Sequence, residues 1–336
     1  MPIIVSKNSN LNDNLWNEWS DQLIAVMQDT DTEKNDADDF VNSVFNVKKS
    51  TKFGEKATGL TEFADFEIVD EGGKAVQDDL QEGFSKLIEH KAFMKKFVLT
   101  AEMAEDSAVD MMKAKAKNFV NSYKRSRAQY ASNALTSQAA TFSFGTKSGL
   151  DSSTGDGKAL FATDHPGKKD TSVVQSNVFT NAFGADSKIL NRLANIGRNL
   201  KNSSGIAMGY TFDTIIIPSN VPELEDTIKK IIRTDLMVGS QLNDINTQKG
   251  LWKLIVDPFW QVTDASQPYI LMSSQANKEM LGNLFFDRIP LTMKDDVDID
   301  THNYIWSGRA RFSAGFANWA HIILGGAEAG TTLTEV

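Results

Sequence analysis

The chain contains no cysteine, which excludes disulfide frameworks, thiolate zinc sites and cysteine nucleophiles, and which suits folding in a reducing cytoplasm. Histidine is almost as scarce, with four in 336 residues, and no two of them have the HExxH spacing of a zinc protease. Long hydrophobic runs are missing too. Nothing approaches the roughly 20 apolar residues of a membrane-spanning helix, and the apolar stretch in the opening "MPIIVSKNSNLND" is too short for a signal peptide. Nor is there an excess of positive charge. The 44 acidic residues outnumber the 35 lysines and arginines for a net charge of −9, so the chain as a whole is repelled by a phosphate backbone and sequence-specific DNA binding is not expected. At this length a chain is comfortable as two domains and can bury a large core without metals or disulfides.

Charge is distributed unevenly. Residues 55–89 hold ten acidic side chains and three lysines, whereas residues 111–130 hold six basic side chains and no acid. Adjacent blocks of opposite sign suggest partners within a chain or between chains. Glu62, Asp65 and Glu67 on the acidic side, and Lys113, Lys117, Lys124 and Arg127 on the basic side, are therefore candidate contacts between neighbouring copies. The alternatives for the basic stripe are a solvated helix face or DNA contact, and the second lacks an interleaved aromatic platform.

Apolar spacing predicts the elements. Leu15, Trp16, Trp19, Leu23, Ile24 and Met27 share one helical face, followed by the polar "DTDTEKNDADD". Alternation around Phe66 and Ile68, with Gly72-Gly73 as a turn signal, predicts a long acidic two-stranded excursion that must lie on something else, because a lone hairpin buries too little. Thr100 can cap a helix running without proline or glycine to Ala134, with Met112, Ala116, Phe119, Tyr123, Tyr130 and Ala134 as its apolar stripe. Such a helix of about 35 residues would be a rod of about 52 Å. Beyond it, "SKILNRLANIGRNLK" predicts a helix, "FDTIIIPS", "LWKLIVDPFW" and "YILMSS" predict buried strands, and Asn220 with Glu223 has capping-box spacing around Pro222. From Tyr304 a strict alternation puts Tyr304, Trp306, Gly308, Ala310 and Phe312 on one face of a strand.

The residues that invite a catalytic reading lie in "DGKALFATDHPGKK", 156–169. Gly157-Lys158 fails as a phosphate loop, with Ser152 and Ala159 where glycine and a hydroxyl are required. Asp164 and His165 would be half of a hydrolase pair, but adjacent residues bond poorly in an extended segment and no G-x-S-x-G elbow exists. The favoured reading is a structural loop in which His165-Pro166 sets a turn. Asp296, Asp298 and Asp300 begin like a calcium loop, yet Thr301 and Ser307 occupy the glycine and glutamate positions, which favours a solvated acidic turn. His90, His302 and His321 have no catalytic context, and His321, in an apolar run, reads as a core imidazole. No catalytic residue, cofactor or metal site is expected.

The segments "QEGFSKLIEH", "LTAEMAEDS", "DGKALFATDHP" and "DTIIIPSNVPELE", in this order, resemble the major capsid proteins of tailed bacteriophages, and within them the Mu-like major head subunits. The resemblance runs from about residue 50 to the end, with "DGKALFATDHP" and "DTIIIPSNV" its most specific parts. It implies an α+β fold, the Johnson fold first seen in phage Hong Kong ninety-seven. The parts would be an N-terminal arm (1–58), an extended E-loop (59–100), a peripheral domain with the long spine helix (101–185), an α/β axial domain (186–285) and return strands of the peripheral domain (286–336).

The same resemblance implies a non-enzymatic structural protein that assembles into hexamers and pentamers, forms an icosahedral head around double-stranded DNA, and is built in the bacterial host cytoplasm. The implied partners are further copies, a portal, a decoration protein and a scaffolding protein, the last expected as a separate chain because the arm begins near Met1. No membrane is involved. Two other readings stay open: an encapsulin-type compartment shell, and a hydrolase using Asp164 and His165.

Overall fold

The computed structural model describes residues 11–33, 36–60, 66, 68–71, 73–74, 77, 82–106, 109–169, 171–184, 188–201, 206–236, 245–262 and 267–333. In chain order the elements are α1 (Leu11–Thr32), α2 (Asp36–Val44), β1 (Asn46–Lys49), β2 (Gly54–Leu60), β3 (Glu82–Glu89), β4 (Lys91–Leu99), α3 (Ala101–Glu105) and α4 (Val109–Thr136). There follow β5 (Thr141–Phe144), β6 (Lys147–Asp151), β7 (His165–Pro166), β8 (Val174–Gln175), α5 (Lys188–Asn199), β9 (Thr214–Pro218), α6 (Pro222–Arg233), β10 (Lys253–Asp257), β11 (Tyr269–Met272), α7 (Ser274–Glu279), β12 (Asn283–Val297), β13 (Tyr304–Phe316) and β14 (Ile322–Gly325). Two compact units result: Met1–Val41, His90–Ala128 and Asp287–Phe312 make the first, and Asn42–Glu89, Gln129–Phe286 and Ser313–Val336 the second.

In the first unit β4 and β13 pair antiparallel from Tyr304↔Leu99 to Phe312↔Lys91. Trp306, Gly308, Ala310 and Phe312 are buried while Arg309 is exposed, as the two-residue period of a strand requires. Leu23 and Met27 of α1, Leu99 of β4, Met112, Ala116 and Val120 of α4, and Trp306 of β13 form the core. Gly308 makes room for α4: a Cβ there would lie 2.6 Å from the Phe119 ring. The side chains of Leu15, Trp16 and Trp19 lie outside the described residues.

The predicted single helix from Ala101 to Ala134 is instead two. Thr100 Oγ1 accepts from Met103 N–H at 3.4 Å and so caps α3, which ends at Glu105, and α4 begins at Val109. Asp106 stands just past the end of α3, and its short polar side chain competes for backbone hydrogen bonds and favours caps over helix interiors. The 28 residues of α4 make a rod of about 42 Å rather than about 52 Å.

The second unit is organised on a sheet of order β10-β9-β11-β14. β9 and β10 are parallel, from Thr214↔Lys253 to Pro218↔Asp257, and the chain between them carries α6, the crossover that a parallel pair needs. β11 is antiparallel to both β9 and β14. Every residue of β9, β11 and β14 is buried, and each fully buried Ile or Leu adds about 1.5–3 kcal/mol of transfer free energy. α6 turns Leu224, Ile228, Ile231 and Ile232 inward at helical spacing. Its expected capping box is not formed: the N-cap is Val221 and makes no side-chain bond. Asn220 instead donates to Val262 O at 2.6 Å and accepts from Val262 N–H at 3.0 Å, a two-way bond to a neighbouring chain segment that a single cap bond does not match. β14, grouped with the return strands by the sequence, completes this sheet.

An antiparallel ribbon is present, but it is formed by β2 and β3, with Gly54↔Glu89 at its base, and not by the expected strand around Phe66 and Ile68, neither of which is in a strand. The residues beyond Leu60 that would carry its far end are described only in part, and there Phe66 and Ile68 are fully exposed. Glu62, Asp65, Glu67 and Gly72 lie outside the described residues.

Candidate functional site

The loop at 156–169 is built around a buried carboxylate. A tight turn, in which Gly157 N–H donates to Thr154 O at 3.0 Å, places Gly157 at φ +82°, the left-handed region that glycine tolerates. This turn sends the Asp156 side chain inward. Its Oδ1 accepts from the Thr154 hydroxyl and from Lys158 N–H at 3.0 Å, and its Oδ2 lies 2.7 Å from His165 Nδ1, which donates to it. The imidazole stacks on the Trp319 indole at 4.3 Å between centroids and 8° between planes. Burial alone would push the Asp156 pKa up, but the hydrogen bonds from His165 and Thr154 outweigh it and hold the carboxyl below its usual range.

His165 thus pairs with Asp156, nine residues upstream, and not with Asp164. Asp164 points outward to Lys158 at 2.5 Å and raises that ammonium's pKa. The expected His165-Pro166 turn is also corrected. These two residues form β7, paired with Gln175 and Val174 of β8, because a residue preceding proline is held extended. The His165 and Asp156 side chains are 0% and 1% exposed, and their hydrogen bonds hold the loop.

The chain on either side of this pair, residues 151–155 and Lys168, contacts β3 of the ribbon. Lys86 of β3 reaches Asp151 and Ser153, Gly155 N–H donates to Ala317 O at 3.1 Å, and the Lys168 ammonium sits 4.9 Å over the Phe84 ring. A Cβ on Gly155 would lie 2.7 Å from Ala317 O and 3.0 Å from Phe84 Cβ, so glycine permits this approach.

The basic stripe of α4 divides into two pairs. Lys113 is half-buried, and Lys117 is exposed with its ammonium 3.7 Å from Glu33, a surface pair of little energetic weight. Lys124 is 2% exposed, bonded to Glu33 O and 3.5 Å from Asp38. Arg127 bridges Asp38 at 3.1 Å and Asp287 at 2.7 Å. This cluster closes over Tyr123, whose phenol burial pushes up to about 12. A signal for it exists in the sequence: Lys124 and Arg127 follow Val120 and Tyr123 by four residues and so fall on the apolar face itself.

In the acidic turn, Asp298 accepts from Asp300 N–H at 3.1 Å and from the Thr301 hydroxyl at 2.9 Å, which lowers its pKa. Its carboxylate thereby closes the turn, which passes through His302 at φ +55°. Among the described residues no three or more potential metal ligands cluster.

Three buried polar groups escaped the sequence patterns. Asp257, at the end of β10, accepts from the Ser132 hydroxyl at 2.6 Å and Phe259 N–H at 2.9 Å, and burial pushes its carboxyl up to about 6. Asn277 and Asn283 both donate to Val44 O at 3.1 Å, and Asn283 Oδ1 lies 2.8 Å from His321 Nε2. His321 is fully buried, as its apolar run predicts, and burial lowers its pKa to about 3. None of the asparagines lies in a recognisable motif, since each is defined only by the long-range carbonyl it meets.

No family model matches the chain, and no curated protein matches it in sequence. Solved structures match in fold. A chain from Mycobacterium phage Patience aligns over 98% of this chain and 91% of its own, with TM-score 0.54 and 11% identity. A chain from the capsid of a native GTA particle aligns over 89% and 92%, with TM-score 0.55 and 10% identity, and one from Gordonia phage Cozz over 88% and 87%, with TM-score 0.50 and 10% identity. At such identities the likeness is one of fold. The chain has the α+β capsid fold of the Hong Kong ninety-seven type that its segment order predicts.

Proposed function

We propose that this chain is the major capsid protein of a tailed bacteriophage, of the Mu-like kind, which assembles into hexamers and pentamers of an icosahedral head enclosing double-stranded DNA. The observation that carries this reading is the near end-to-end agreement in fold with a chain of the native GTA particle's capsid, joined to the sequence segments that resemble major head subunits. A closed shell requires each subunit to contact several neighbours at once, and a long ribbon and arm extend the area one subunit can bury. A net charge of −9 suits a wall that encloses DNA without binding it tightly.

On this reading residues 1–58 are the arm, 59–100 the E-loop, 101–185 and 286–336 the peripheral domain and 186–285 the axial domain. Glu62, Asp65 and Glu67 meet the α4 surface of a neighbouring copy, where Lys113 and Lys117 are the accessible partners. Lys124 and Arg127, already engaged within their own chain, support that surface from beneath. A scaffolding protein, a portal and a decoration protein complete the particle, the protein resides in the virion, and the subunit itself has no catalytic role.

Light scattering and negative-stain electron microscopy of the protein, alone and coexpressed with a candidate scaffold encoded beside it, test the proposal. Shells, tubes or rings of five and six are expected. A species that stays monomeric or dimeric under all these conditions overturns it, and shells loaded with a protein cargo instead of DNA transfer the assignment to an encapsulin-type compartment.

A further inference from the structure

In the first unit β4 ends its sheet: it pairs with β13, and among the described residues no strand pairs with its other edge. An edge of this kind presents a row of backbone N–H and C=O groups. The nine residues of β4 include no proline or glycine, and its charged side chains are all lysines, Lys91, Lys95 and Lys96. Its two faces differ. Phe93 stacks on Phe312 at 3.9 Å, Phe97 leans on Phe119 of α4 at 5.0 Å, and Lys95 donates to the Ser122 hydroxyl at 3.1 Å, so these three lie on the α4 side. Met94, Lys96 and Val98 lie on the other side. There Met94 is 68% exposed, Lys96 is exposed, and the cross-strand neighbour of Met94 is the exposed Arg309. Phe93 and Phe97 are only half-buried, which leaves apolar surface along one face of the edge and positive charge along the other.

We infer that the open edge of β4 takes an added strand from a separate acidic polypeptide in which carboxylates alternate with aliphatic side chains. Strand addition draws affinity from main-chain hydrogen bonds and specificity from alternate side chains. One face of such a strand sets aliphatic groups beside Phe93 and Phe97. The other sets carboxylates beside Lys96 and toward Arg309, since directly opposed residues on paired strands come within about 4.5–5.5 Å. Asp298 feels the Lys96 charge, but its carboxylate is already engaged in closing its own turn. The same edge disfavours other occupants. A second β4 paired antiparallel about Lys95 would set Lys95 against Lys95, like charges directly opposed. Nucleic acid cannot continue a hydrogen-bonded ladder, and the rings of β4 face α4 and offer no platform for bases. The ribbon contact proposed above uses Lys113 and Lys117 of α4 and no residue of β4. Assigning the added strand to a separate chain rests on that reading, whereas the chemistry of the edge does not.

The test is fluorescence anisotropy of a labelled octapeptide of alternating glutamate and valine, titrated with the full chain at low salt. Saturable binding is expected, about tenfold tighter than that of a lysine–valine or a glutamate–serine octapeptide. In the chain carrying ¹³C-methyl methionine, the Met94 resonance is expected to shift and saturate with the same peptide. Backbone N-methylation separates strand addition from plain attraction, because successive N–H groups of a strand point to opposite edges. Methylating every glutamate nitrogen, or instead every valine nitrogen, is expected to weaken binding about tenfold or more in at least one of the two peptides. The variant Lys96→Glu with Arg309→Glu, at two exposed positions, is expected to keep its thermal midpoint and lose the peptide about tenfold. The inference is overturned by absence of saturable binding, by an unmoved Met94 methyl, by equal affinity for the lysine–valine peptide, or by undiminished binding of both methylated peptides. A short DNA duplex that displaces the peptide and binds more tightly overturns it in favour of nucleic acid. Self-association without peptide that this variant abolishes overturns it in favour of a second copy. Failure of the peptide leaves particle formation, the readout of the capsid reading, untouched.

Discussion

At the scale of single residues, two buried titrating groups oppose one another. Asp257 titrates near 6 in the folded chain against 3.8 ordinarily, so the proton is held more tightly when folded. The stability it contributes is fully present below pH 3.8 and is lost as the pH rises through 6. His321 titrates near 3 against 6.5, so its contribution is present above pH 6.5 and is lost as the pH falls toward 3. Between about pH 4 and 6 these slopes, each about 1.4 kcal/mol per pH unit, nearly cancel. Asp257→Asn is therefore expected to make the urea midpoint of the second unit fall as the pH is lowered from 6 to 4, and His321→Gln to make it rise. Identical pH profiles for the two variants would contradict the assignment. Gly155→Ala, which drives a Cβ against Ala317 O, is expected to cost about 1–3 kcal/mol in thermal unfolding, whereas a neutral outcome would mean that the loop does not press on the chain at 317.

At the scale of elements, α4 holds two kinds of lysine that one helical-wheel stripe conceals. Lys124→Glu puts a carboxylate beside Asp38 at a position 2% exposed and is expected to cost about 3–5 kcal/mol, seen as a large drop in the unfolding midpoint of the isolated chain. Lys113→Glu with Lys117→Glu is expected to change stability by no more than about 0.5 kcal/mol per site, and to weaken particle formation where acidic ribbon residues of another copy meet this surface. Undiminished assembly by the double variant, measured by light scattering, would remove the proposed contact. Element types were legible wherever apolar spacing was regular, as in α4, α5, α6 and β13, or where a short apolar run was unbroken, as in β9 and β11. The break at Asp106 and the bridging role of Asn220 were not legible. In each, local propensity allows two outcomes, and tertiary neighbours choose between them. The Asp156–His165 pair was missed for a related reason, since both residues stand in one quoted loop and the turn at Gly157 decides which carboxylate reaches the ring.

At the scale of the whole molecule, the segment order carried the fold: a ribbon, a long helix, a glycine-bearing loop, an α/β sheet and returning strands. What it left open is how copies meet, because contacts between chains are written in surface residues that obey no internal period. The contribution of β14 to the β9–β11 sheet shows the same limit inside one chain, as strand partners distant in sequence leave no local mark. The central claim is that this fold serves as the repeating wall of a closed head. A cryo-electron microscopy reconstruction of particles formed by the purified or coexpressed protein tests it most directly. The account predicts an icosahedral shell whose density holds this one chain at both five-fold and six-fold positions. Particles lacking five-fold vertices, or a shell wall whose density cannot hold this fold, would contradict it.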